Sequence, residues 1–79
     1  MSPTILRKRG FQFLFFSREE PRMHVHVQSS KGEAKYWLQP ELTLVKNTGF
    51  APRDLQTIVS IIEEHEDEIR GAWDKHFKS

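Results

Sequence analysis

Hydrophobic and polar residues alternate along the first half of the chain and recur at helical spacing along the second. Thr4-Ile5-Leu6-Arg7 reads as a short strand ending at Arg9-Gly10, where glycine accepts the positive φ of a tight turn. Residues 11–17 predict a second strand, with Phe11, Phe13 and Phe15 on one face and Leu14 and Phe16 on the other. Apolar residues on both faces suit a central strand. Pro21 then interrupts a charged loop, because it lacks an amide donor and biases Glu20 away from helix. Residues 23–28 and 33–38 form a hairpin around Ser29-Ser30-Lys31-Gly32. Closing it symmetrically about Ser30 and Lys31 sets Val27 opposite Ala34, Val25 opposite Tyr36 and Met23 opposite Leu38. The other face pairs His26 with Lys35, His24 with Trp37 and Gln28 with Glu33. This register gathers all the apolar alternates on one face, as a buried face requires.

Gln39-Pro40 breaks the pattern, and Leu42, Leu44 and Val45 fit either a short edge strand or a helical turn. Asn47-Thr48-Gly49 is a turn signal, after which Phe50 returns to the core. Residues 52–77 predict a long helix with Pro52 in its first turn. Its stripe runs through Leu55, Ile58, Val59, Ile62, Ile69, Ala72, Trp73 and Phe77, around an acidic middle of Glu63, Glu64, Glu66, Asp67 and Glu68. The expected fold is α+β, a single domain over residues 1–79. It has an antiparallel sheet of four to five strands, and one long C-terminal helix packs on the Met23, Val25 and Val27 face. A straight helix of that span is roughly 39 Å long at about 1.5 Å per residue. A four-stranded sheet spaced at about 4.8 Å is under about 20 Å across. Either the helix bends near its acidic middle, or Ile69, Trp73 and Phe77 form a partner interface. The partner interface is the expectation, with a homodimer through the C-terminal helix as one form of it.

Composition narrows the class. The chain has 79 residues and no cysteine, so neither disulfides nor thiolate metal sites supplement a core near the lower size limit. The longest aromatic-aliphatic run, Phe13-Leu14-Phe15-Phe16, is too short to cross a bilayer, and Met1-Ser2-Pro3-Thr4 lacks an apolar leader. A cytoplasmic protein without a membrane partner is expected. The net charge of +1 conceals an asymmetry. Residues 1–35 carry seven Lys/Arg against three Glu, whereas residues 36–79 carry five against eight acids. A basic sheet region suits phosphates, while the small total charge argues against a dedicated salt-driven nucleic-acid binder.

The candidate chemistry centres on His24 and His26, two apart on a strand and therefore on one face. Imidazole takes and gives protons near neutral pH, as phosphodiester cleavage through a 2′-hydroxyl requires. Arg22 and Lys35 would hold the phosphate, and Trp37 or Tyr36 would stack a base. A His-x-His pair also chelates metals, but zinc needs a third protein ligand. Glu33, Glu19 and Glu20 stand at no diagnostic spacing for that role. Two histidines on a polar strand face beside Trp37 are equally compatible with a purely structural role. His65 and His76 read as helix surface. Nucleophile triads, phosphate loops and zinc-finger spacings are absent from the sequence.

The sequence resembles one small bacterial family along almost its whole length. The resemblance is carried by Pro3-Thr4-Ile5, Glu20-Pro21-Arg22, His24-Val25-His26-Val27, Ala34-Lys35-Tyr36-Trp37-Leu38, Gly49-Phe50 before Pro52, and Ala72-Trp73. That family is domain-of-unknown-function family 4160. The resemblance implies a partner, a cognate small protein encoded alongside, because such pairs are candidate toxin–antitoxin modules. It also marks Glu20, Arg22, His24, His26 and Trp37 as motif positions. Three residues depart from the pattern: Met23 replaces a frequent proline, Gln39 a frequent aspartate, and Ala51 a frequent Ser/Thr cap. The expected function is the toxin-like component of such a module, a metal-independent ribonuclease acting on RNA without a cofactor. His24 and His26 would be catalytic, with Arg22, Lys35, Trp37 and Glu20 binding substrate. The alternative is a non-catalytic protein-interaction module, either antitoxin or regulatory partner.

Overall fold

A computed structural model describes residues 4–15 and 22–78. Its elements run β1 (Thr4–Lys8), β2 (Phe11–Leu14), β3 (His24–Ser29), β4 (Gly32–Trp37), β5 (Thr43–Thr48), α1 (Pro52–Glu64) and α2 (Glu66–Lys78). The strands form one antiparallel five-stranded sheet in chain order, β1-β2-β3-β4-β5. The fold is therefore α+β, with the fifth strand present and two helices in place of one.

The central hairpin has the register set by its alternation. His24 faces Trp37, Val25 faces Tyr36, His26 faces Lys35, Val27 faces Ala34 and Gln28 faces Glu33. β2 is shorter than its hydrophobic run suggested. It ends at Leu14, while Phe15 lies just beyond it and is buried; Phe16 and Ser17 lie outside the described residues. The ambiguous segment around Leu44 is strand. Its register against β4 shifts between Lys35 and Tyr36, which pair with Lys46 and Leu44 and leave Val45 as the extra residue. That bulge disrupts the period of two by which a strand announces itself.

Where β5 turns into α1, two glycines meet. A Cβ at Gly32 would strike the Thr48 carbonyl oxygen, and one at Gly49 would strike that of Lys31. Gly49 also holds φ of +97°, a region other residues rarely enter. Phe50 then drops into the core against Phe11. Ala51 offers no side-chain cap for α1, but Asp54 replaces it by accepting the Ala51 amide at 3.1 Å. Asp54 also accepts a bond from Lys31 Nζ at 3.1 Å, tying the β3–β4 turn to the helix start.

One buried cluster joins Phe11, Phe13, Val25, Val27 and Tyr36 of the sheet to Ile58, Ile61 and Ile62 of α1. The helix breaks at His65, whose amide still reaches the Ile61 and Ile62 carbonyls while α2 restarts at Glu66. The mismatch in length is thus met by bending. Ile69 and Trp73, expected at a partner surface, are buried in the chain's own core, and only Phe77 of that set is exposed. Arg70 of α2 donates to the Leu38 carbonyl at 2.7 Å and lies 3.7 Å from Met23 Sδ. α2 therefore lies against the end of the sheet where β3 begins and β4 finishes.

Candidate functional site

The histidine strand sits at that end of the sheet. Strand alternation sends the His24 and His26 side chains to the face opposite Val25, and pairing sets Trp37 and Lys35 beside them on β4. Their rings lie edge-on, with centroids 5.3 Å apart. His24 also meets the edge of Trp37 at 5.8 Å and of Trp73 at 5.1 Å.

Burial separates the two histidines. His24 was expected on an open face, yet its relative exposure is 0%. The bend in the helix is the cause, since it swings Trp73 against both His24 and Phe15. His24 Nδ1 is 2.7 Å from the Arg22 carbonyl, which fixes the ring and assigns the proton to Nδ1. His26 is part-exposed and remains within reach of a ligand.

Trp37 carries two cations. Arg22 Cζ lies 4.4 Å and Lys35 Nζ 4.6 Å from its ring centroid. Such contacts are worth about 0.5–1 kcal/mol each at exposed sites. Arg22 is further held by an Nε–H bond to the Gln39 carbonyl at 2.9 Å. Trp37 is therefore less a bare stacking platform than a mount for two positive groups. Lys46 of β5 pairs with Lys35 and continues the basic strip across the sheet. Arg7 of β1 lies opposite Gln12, which in turn lies opposite Gln28, on the same face.

Of the residues singled out in the sequence, Arg22, His24, His26, Lys35 and Trp37 converge. Glu20 lies outside the described residues. Among the described residues, no three His, Asp or Glu side chains are grouped to hold a metal ion. Lys46 joins the site through β5, which the sequence left ambiguous. Trp73 joins it through the helix bend, and nothing in the helical periodicity pointed to that contact.

Residues 10–74 match the family model described as domain of unknown function DUF4160. The chain belongs to that family. The match runs from Gly10 to Asp74, so it contains the whole DUF4160 histidine site, the Trp73 contact and the bend, and leaves β1 outside. No curated protein and no solved structure matches the chain. No helix among the described residues is long and apolar enough to cross a membrane.

Proposed function

We propose that this DUF4160 protein is the toxin-like, RNA-contacting component of a two-protein module, and that it contacts RNA through the sheet face bearing His26. The observation that carries this reading is the mounting of Arg22 and Lys35 on Trp37 beside a part-exposed histidine. Lys46 and Arg7 extend the same face, with Glu33 as an acid placed among them. A sheet surface whose cations are mounted on an aromatic ring suits a single strand, whose accessible phosphates take the positive groups. The module itself is an expectation drawn from family resemblance.

Binding is favoured over cleavage at this site. Acid–base cleavage of a phosphodiester needs two groups able to reach the reacting atoms. His24 is fully buried with Nδ1 engaged by the Arg22 carbonyl, so it acts as a positioning residue for Arg22 and His26. His26 is the histidine that would meet the phosphate.

Fluorescence anisotropy with a labelled single-stranded RNA tests this reading. Lys35→Gln and Arg22→Gln should each weaken binding severalfold with the thermal midpoint nearly unchanged. Trp37→Ala should weaken it more than either, since it removes the ring that holds both Arg22 and Lys35 in place. Absence of RNA binding at low salt, or binding indifferent to all three changes, would overturn the proposal. Cleavage of the RNA that His26→Ala abolishes would restore the ribonuclease reading.

A further inference from the structure

We propose a second binding site on the opposite face: the outer edge of β5, with the groove between β5 and α1, takes an extended peptide segment of a partner protein. That segment would be apolar at alternate positions and basic where it passes Glu63. Four independent observations converge here. First, β5 ends the sheet, so its outer edge has no strand neighbour among the described residues. All six of its residues are exposed, with Leu44 at 41% and Val45 at 42%. Second, the two edges differ in protection. β1 is followed along its edge by Arg7, Lys8 and Arg9, the charges that discourage strand addition, whereas β5 has only Lys46. Third, a groove of about 560 Å³ adjoins β5 and is walled by Leu42, Leu44, Leu55 and Val59. Tyr36 contributes to its lining. It is 2% exposed, and its hydroxyl has no hydrogen-bond partner among the described residues. A buried hydroxyl left unsatisfied is rare and marks a place where an additional polar group belongs. Fourth, the rim carries Glu63, and the acidic run of Glu64, Glu66, Asp67 and Glu68 continues beyond it.

Strand addition satisfies these features together. Backbone groups of the incoming segment would pair with the β5 edge, and alternate side chains would enter the apolar groove. The acidic rim selects a basic residue at one end. Tyr36 would gain its partner from the inserted segment. This site lies on the core side of the sheet, away from His26, and its occupancy does not depend on the RNA reading.

The test is selection of ten-residue peptides from a random display library against the full chain. Selected peptides should alternate β-branched or aromatic residues with polar ones and carry Lys or Arg at one end. Their binding should slow hydrogen exchange of amides 43–48. Leu44→Lys should abolish binding. Glu63→Lys should weaken it at least tenfold, and exchanging the peptide's basic end for glutamate should recover it. Selection that yields no peptide, or peptides protecting another surface, would overturn the proposal. So would self-association of the chain that Leu44→Lys abolishes, because a second copy would then occupy the edge.

Discussion

At the scale of single residues, three glycines with the same name have opposite consequences. Gly32 and Gly49 lie so close that a methyl group on either meets a backbone oxygen, and Gly49 adds a positive φ. Gly71, inside α2, has open space around the position of its missing Cβ. Gly49→Ala should therefore destabilise by about 1–3 kcal/mol, while Gly71→Ala should stabilise by about 0.5–1 kcal/mol through helix propensity. Urea denaturation of the two variants checks the sign difference. Asp54 makes a pH-dependent prediction. The Lys31 hydrogen bond, followed by the Ala51 amide, holds its carboxyl below the usual 3.8 despite some burial. A depressed folded-state pKa gives stability that is present above the unfolded value and lost as pH falls through the folded one. Thermal midpoints of Asp54→Asn should thus lie below the parent's at pH 7 and converge on it as pH falls through the depressed folded-state value. At the alkaline end, burial raises the Tyr36 hydroxyl above 10.0, so stability should decline once pH passes that value.

At the scale of elements, what the sequence could reveal depended on whether its period was intact. β3 and β4 alternate strictly, and their register followed from alternation alone. β5 carries a bulge at Val45, and the same reasoning could not tell it from a helical turn. The break at His65 was equally hidden, because Glu63, Glu64, Glu66 and Glu68 are good helix formers on both sides of it. Only the length mismatch between helix and sheet signalled a bend. The site inherited both blind spots: His24 reads as exposed from the strand pattern and becomes buried because α2 brings Trp73 to it. Trp73→Ala should accordingly destabilise the fold by about 3–5 kcal/mol, the range for large aromatic truncations in cores. Denaturant unfolding measures this, and the same variant should change the His24 imidazole resonance by NMR. A residue that only bound a partner would leave both unaltered.

At the scale of the whole molecule, charge is divided by face. The histidine face gathers Arg22, Lys35, Lys46 and Arg7, whereas the acids concentrate at the junction of α1 and α2. This division explains how a chain of net charge +1 can still present a cationic surface. RNA held by about three phosphate contacts should show a slope of log K against log salt near −2, at roughly −0.7 per contact for single strands. Titrations from about 50 to 200 mM salt measure it, and Lys35→Gln should make the slope shallower by a little under one. The Glu63 edge site, in contrast, draws on apolar burial and backbone pairing and should vary less with salt.

The Phe15–Trp73 contact also has a consequence for the chain as it is made. Its two rings, 5.2 Å apart in the folded protein, are separated by most of the sequence. At about 5–20 residues per second of synthesis, the ribosome delivers Trp73 several seconds after Phe15. During that interval the phenylalanine-rich β2 exists without the helix that covers its end. Lys8 and Arg9 precede it in the sequence, and such flanking charges slow the association of nascent strands. Translation speed between those two aromatic residues is therefore a variable that yield in the cell should follow.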